Sequence, residues 1–208
     1  MGKRNRQRRT ARREPFVDSK PIILVVTEGA ATEPEYFDGF ARAFHNPRVR
    51  VEVVSGAGVP KTIVETAKVL KREAEQQAER EKDDNLIYDE VWCVFDVDQH
   101  PHIPDAKQMA RDNGILLAIS NPCIELWLWL HFAEQPGIQH RHDLQKMMKQ
   151  HVAGYDKHVD FQYYALGYDD AVRRARRLDV AAESVGETER NPTTAVWRLT
   201  ENIRNHSG

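Results

Sequence analysis

Four short apolar runs, at residues 22 to 27, 50 to 55, 91 to 96 and 115 to 120, are separated by segments whose apolar residues recur at helical spacing. This alternation constrains the fold more than any other feature of the chain. A parallel strand pair needs a crossover of a dozen or more residues, and a helix supplies it. Strands linked in this way build a sheet that is covered on both faces and joined by right-handed connections. The first helix is expected over residues 33 to 44, with Phe37, Phe40, Ala41 and Phe44 on one stripe. A longer one follows residues 56 to 60, with Ile63, Ala67, Leu70, Ala74 and Ala78 as its stripe, and a short one lies near residues 105 to 113. The fold class is therefore α/β: a parallel sheet sandwiched by helices, with a mainly helical C-terminal extension.

Two of the strands end in acids. Val91-Trp92-Cys93-Val94-Phe95 breaks into Asp96-Val97-Asp98, and the first run breaks into Thr27-Glu28-Gly29. Side chains on a strand alternate, so Asp96 and Asp98 project the same way. Sites in parallel sheets lie beyond the carboxyl ends of the strands, where Glu28, Asp96 and Asp98 are expected to meet. Oxygen ligands of this kind suit Mg²⁺ or Mn²⁺, hard ions that keep part of their water shell and accept a substrate phosphate. Such a site fits phosphodiester chemistry, with Glu33, Glu35 or Glu125 available to a second ion. The competing structural roles are a turn or helix cap for the aspartates, a first-turn residue favoured by the helix dipole for Glu33, and backbone N–H groups around Glu125. His100 and His102 follow the acid pair closely enough to move a proton or touch phosphate, or they belong to an exposed loop. The Asp-x-Asp spacing also occurs in nucleotide-sugar enzymes. Aspartyl phosphatases carry it after the first strand, not the third.

The formal net charge of −2 hides an asymmetry, because residues 1 to 13 carry seven basic side chains and no acid. An arm of this composition buries no core. It is expected to be disordered and to offer Arg8, Arg9, Arg12 and Arg13 to a polyanion such as a nucleic-acid backbone, the alternative being a solubilising tail. Further basic candidates are Lys61, after Gly56-Ala57-Gly58, and Arg173, Arg174, Arg176 and Arg177, on a helix from 168 to 182 that turns Ala171, Ala175, Leu178 and Ala182 inward. An ordinary solvated face accounts for the same arginines. Asn121-Pro122 has the form of a helix start, opening the apolar stretch from 123 to 132, in which Trp127 and Trp129 read as core. His131 on that stretch reads as a hydrogen-bonded core histidine. Buried Glu125 needs a cation or donors. Asn191-Pro192 is read in the same way, as the start of a last helix with Val196, Leu199 and Ile203 inside. No apolar span approaches the roughly 20 residues of a membrane helix, and no signal-peptide core follows the arm, so a soluble cytoplasmic protein is expected. Cys93 and Cys123 form no metal-binding spacing and read as reduced thiols.

The order Glu28-Gly29 after strand one and Asp96-x-Asp98 after strand three resembles the Toprim fold of topoisomerases, primases and overcoming-lysogenization-defect nucleases, over roughly residues 20 to 132. More specifically, Val26-Thr27-Glu28-Gly29 with Thr32-Glu33-Pro34-Glu35-Tyr36-Phe37, Phe95-Asp96-Val97-Asp98-Gln99-His100, Ser120-Asn121-Pro122-Cys123-Ile124-Glu125-Leu126-Trp127 and Asn191-Pro192-Thr193-Thr194 resemble the RloB family over nearly the whole chain. The resemblance implies a basic arm over 1–19, a catalytic core over 20–132 and an extension over 133–208 packed on that core. It also implies a Mg²⁺- or Mn²⁺-dependent nuclease of prokaryotic anti-phage defence, cutting DNA or RNA, tRNA included, with a defence partner protein or a homo-oligomer as the expected assemblies. Glu28, Asp96 and Asp98 match the acidic triad, His100 follows it as a catalytic candidate, and Glu33 and Glu125 match acids that would complete a second ion site. No tyrosine-nucleophile domain is recognised, which favours hydrolysis over strand passage. The competing expectations are a silent nucleotide- or nucleic-acid-binding sensor that signals to a partner and, third, a nucleotidyl or phosphoryl transferase.

Overall fold

The computed structural model describes residues 21–53, 59–97 and 103–205. Five strands form one sheet: β1 (Ile23–Thr27), β2 (Val49–Val53), β3 (Glu90–Asp96), β4 (Leu116–Asn121) and β5 (Thr193–Thr194). Their order is β2-β1-β3-β4-β5; the first four are parallel and β5 runs antiparallel to β4. The helices are α1 (Thr32–Ala43), α2 (Pro60–Glu81), α3 (Ile103–Asp112), α4 (Glu125–Leu130), α5 (Arg141–Met147), α6 (Tyr168–Glu183) and α7 (Val196–Asn205).

Alternation along the central strands divides the core into two layers. Ile23, Val25, Trp92 and Val94 face α1, α4, α6 and α7, packing on Tyr36, Phe40, Trp127 and Leu199 among others. Leu24, Val26, Val91, Cys93 and Phe95 face α2 and α3, meeting Ile63, Val64, Ala67, Ala106 and Ala110. The right-handed crossover rule explains the sides. The chain steps from β1 to β2 in one direction through α1, then returns past β1 to β3 and β4 through α2 and α3 on the opposite face. Strand order therefore reverses between β1 and β3. That is where a crevice opens beyond the carboxyl ends of an open sheet, and it is where Glu28 and Asp96 lie.

Two expected elements need correction. Asn121 does not cap a helix: it ends β4, its side-chain amide donates to the Glu189 carbonyl at 2.8 Å, and α4 begins only at Glu125. Asn191-Pro192 likewise leads into β5, and α7 starts at Val196. Both Asn–Pro bonds are cis. β5 is fixed by the Ala195 N–H donating to the Ile119 carbonyl at 2.9 Å and by a 2.8 Å hydroxyl contact between Ser120 and Thr194. The extension thus supplies an edge strand, and α5, α6 and α7 place Leu144, Ala171, Ala175, Val196, Leu199 and Ile203 in the same core layer as α1 and α4. Cys93 and Cys123 are free and buried, and burial pushes both thiols up in pKa. Among the described residues no helix is long and apolar enough to cross a membrane.

Candidate functional site

Beyond the carboxyl ends of β1 and β3 lies a cleft of about 310 Å³, lined by Glu28, Glu33, Asp96, Glu125, Arg141, Gln145 and Lys157 together with the Gly29–Thr32 turn and Ile124. Each element delivers its acid for a local reason. β3 turns Trp92 and Val94 toward the α1 and α4 layer, so Asp96, two residues on, points into the same layer at the strand's last position. Glu28 leaves β1 in a turn that the Thr27 hydroxyl closes on the Gly29 carbonyl at 3.2 Å. Glu33 stands in the first turn of α1 and Glu125 in the first turn of α4.

Gly29 is required by close approach. A Cβ there would come within 2.0 Å of the Glu33 Oε2, so only a glycine lets that carboxylate lie against the turn.

Carboxylates that share a cleft repel one another when ionised. Burial pushes the Glu33 carboxyl up to about 7, assisted by the charges of Glu125 and Glu28 and opposed by its own backbone amide and by Lys157. Burial also raises Asp96 well above the usual carboxylate range, with Glu33 and Glu125 adding to it and Arg141 opposing. Glu125 is 2 % exposed; its Oε1 accepts a 3.3 Å hydrogen bond from the Tyr155 hydroxyl, while Oε2 has no hydrogen-bond partner. An unanswered carboxylate oxygen at this depth costs free energy unless a proton or cation reaches it. Among the described residues, no three His, Cys, Asp or Glu side chains stand close enough together to form a ready metal cage.

The two cations of the cleft, Arg141 and Lys157, were not legible in the sequence. Arg141 opens α5 and reaches Asp96 Oδ2 at 3.6 Å. Lys157 sits on a loop strapped to the start of α1. Its carbonyl accepts from the Thr32 hydroxyl at 2.8 Å, and the Glu35 carboxylate accepts from the Val159 N–H at 2.6 Å and pairs with His158 at 2.8 Å. Burial works against the Glu35 charge, but those two partners hold its carboxyl below the usual range. Glu35 is thus a latch rather than a member of the cleft. Both cations come from residues 134 to 168, a stretch rich in histidine and aromatics in which the sequence suggests a helix only over residues 143 to 150, and neither cation falls within it.

The other sequence candidates lie elsewhere. Lys61 is in the first turn of α2, outside the cleft lining. On α6, Arg173 pairs with Asp170, Arg176 with Glu201, and Arg177 with Glu134. Arg174 has a side chain only 12 % exposed; it donates to the Leu130 carbonyl at 2.6 Å and pairs with Glu134, so it ties α6 to the end of α4. None of these four lines the cleft. Asp98, His100, Arg8, Arg9, Arg12 and Arg13 lie outside the described residues.

Comparison with known proteins places this geometry in a family. Neither the curated proteins nor the solved structures contain a match to the chain. The sequence model described as RloB-like protein matches residues 23–203, a span that begins with β1, ends inside α7 and takes in every described residue of the cleft; the chain belongs to the RloB-like protein family.

Proposed function

We propose that the chain is a metal-dependent nuclease that hydrolyses phosphodiester bonds in DNA or RNA, in the setting of prokaryotic anti-phage defence. One observation carries this reading: Glu28, Glu33, Asp96 and Glu125 converge in a single cleft at the switch point of the sheet. The donor set fits a hard divalent ion. It is all oxygen, it has excess negative charge, it includes the orphaned Glu125 Oε2, and a Mg²⁺ or Mn²⁺ site needs only one or two protein carboxylates when substrate phosphate and water complete the shell. Glu28 and Asp96 would hold the ion, with Asp98, two residues further along the chain, as the third acid of the motif, and Glu33 and Glu125 stand available in the first turns of α1 and α4. When bound, the ion supplies charge neutralisation at phosphate and a more acidic water. Tyr155 orients Glu125 through its hydroxyl. In the metal-free cleft Glu33, its carboxyl pushed up to about 7 by burial, can take up or release a proton at neutral pH, which general acid–base transfer requires.

A second reading, a binding module that senses a nucleotide or nucleic acid and signals to a partner protein, is favoured by the ion pair that already engages Asp96. One experiment separates the two. Wild type and the Asp96→Ala/Asp98→Ala protein are incubated with labelled DNA and with total RNA, in Mg²⁺, Mn²⁺ or chelator. Metal-dependent cleavage that disappears in the double variant supports the nuclease and selects its substrate. Ligand binding without cleavage in any of these conditions sinks the nuclease and leaves the sensor.

A further inference from the structure

We propose that Arg141 is an exchangeable counter-ion, holding Asp96 in the resting protein and passing to a backbone phosphate of the nucleic acid when a divalent ion takes its place, with Lys157 as the second phosphate contact. This deepens the nuclease reading and rests on it. The charge inventory favours such an exchange. The cleft lining carries four carboxylates against two cations, so its acids need protons or a divalent ion before a polyanion can approach. Each cation also opposes one acid, Arg141 acting on Asp96 and Lys157 on Glu33. An ion that neutralises the acids weakens the hold of Asp96 on Arg141 and of Glu33 on Lys157.

The geometry permits the move. The Arg141–Asp96 contact, at 3.6 Å, is longer than the roughly 2.7–2.9 Å of a charge-assisted hydrogen bond. The Arg141 side chain is 28 % exposed, against 12 % for Asp96, so the guanidinium lies toward the mouth of the cleft and the carboxylate toward its floor. Its helix is firmly seated. Leu144 and Met148 are fully buried in the core, while Arg141 and Gln145, one turn apart, both face the cleft. A long side chain can change partners while the helix that carries it stays in place. Guanidinium also binds phosphate well, because its planar fork matches two oxygens. Lys157 is held differently, by a loop fastened to α1 through Thr32 and Glu35, which fixes its Cα at the opposite wall.

The test uses the full chain, Arg141→Gln, Arg141→Lys, Lys157→Gln and Asp96→Asn, with thermal unfolding to confirm that each folds. Mn²⁺ alone is titrated by electron paramagnetic resonance. A fluorescein-labelled single-stranded oligonucleotide is titrated by anisotropy in EDTA and in Ca²⁺, which replaces Mn²⁺ to prevent turnover. Arg141→Gln is expected to bind Mn²⁺ several-fold more tightly than wild type, since no guanidinium competes for Asp96. It should bind the oligonucleotide as wild type does in EDTA, but ~10-fold more weakly in Ca²⁺, with the salt slope reduced by about one. Arg141→Lys restores most of that slope, and Lys157→Gln loses oligonucleotide affinity with Mn²⁺ affinity little changed. If Asp96→Asn loses Mn²⁺ while Arg141→Gln matches wild type in both titrations, the exchange is wrong and the metal reading stands. If wild type and Asp96→Asn bind Mn²⁺ equally, or neither binds it, the metal reading falls and this proposal falls with it. Displacement of the oligonucleotide by a mononucleotide at equal phosphate concentration overturns the assignment to a polynucleotide.

Discussion

Glu125 and His131 stand six residues apart on one segment, 2 % and 4 % exposed, and have been treated in opposite ways by the fold. Both His131 nitrogens are answered, Nδ1 by the Trp127 carbonyl at 2.9 Å and Nε2 by the Tyr36 hydroxyl at 3.1 Å, inside a ring cluster of Tyr36, Trp127, Tyr164 and Tyr168. Glu125, facing the cleft, keeps an oxygen with no partner and two further acids, Glu33 and Asp96, close enough to shift in pKa because of it. Pairing of both ring nitrogens stabilises His131 in the core, although the Trp127 Nε1 and the Tyr164 hydroxyl of the same cluster have no hydrogen-bond partner. What sets the Glu125 Oε2 apart is that it belongs to an acid lining an open cleft, where a ligand can reach it.

The comparison breaks most sharply at Asp96. Asp96→Asn removes a carboxylate that the nuclease reading gives to the ion, so it should abolish the proposed cleavage, a loss of at least ~10³-fold or about 4 kcal/mol of transition-state stabilisation. The metal-free protein should nevertheless melt higher than wild type, because the cost of either ionising or protonating a desolvated carboxyl is gone. A lower melting temperature would mean that the Arg141 pair outweighs the repulsion, and the account of the cleft as a strained site would be wrong. The paired side makes a prediction of similar scale in pH. Burial pushes the His131 imidazole down to about 4, its largest influence, with Trp127 and Leu128 backbone groups opposing and the Arg174 charge assisting. Protons then bind the unfolded chain better, so stability is complete above about 6.5 and falls as pH drops toward 4, by at most about 3 kcal/mol over that window. The difference between the denaturation profiles of wild type and His131→Gln isolates this contribution from the tyrosines and Arg174 that face the ring. Parallel profiles would show that His131 does not titrate as a buried neutral group.

What the sequence made legible follows the same division. Glu28 and Asp96 could be read because a buried strand leaves a clear apolar signature, and an acid at its end breaks it. Glu33 and Glu125 were legible as acids in the first turns of helices bordering the same edge. Arg141, Gln145 and Lys157 were not, since their placement depends on contacts over long sequence separation, such as Thr32 with Lys157 and Glu35 with Val159. β5 escaped for a related reason: a strand of two threonines has no period, and it exists because β4, some 70 residues earlier, offers it an edge. The two Asn–Pro pairs looked like helix starts because a local rule was applied where sheet pairing prevailed. On α6 the apolar stripe is legible and so is Asp170, the partner of Arg173, but Glu134 and Glu201, which pair with Arg177 and Arg176, lie outside the helix and give no local sign of the pairing.

Two glycines test the same contrast at smaller scale. A Cβ on Gly167 would stand 1.9 Å from the His131 carbonyl oxygen, and backbone cannot move aside cheaply. Gly167→Ala should therefore cost roughly 2 kcal/mol in chemical denaturation, as overpacking of a fixed core does. A Cβ on Gly29 meets only the end of the Glu33 side chain, at 2.0 Å from Oε2, and a carboxylate can rotate away. Gly29 is not in the left-handed region, so alanine also removes freedom from the unfolded chain, a gain of about 0.4–1 kcal/mol. Gly29→Ala should leave the melting temperature unchanged or slightly raised while weakening Mn²⁺ binding ~10-fold, the scale of disturbing a group that orients a metal site. The two readouts must separate, because a carboxylate displaced from the cleft alters what the cleft can hold without touching what holds the fold. If Gly29→Ala keeps wild-type Mn²⁺ affinity, Glu33 is not part of the ion site, and its raised pKa reflects only burial at the start of α1 and the neighbouring acids.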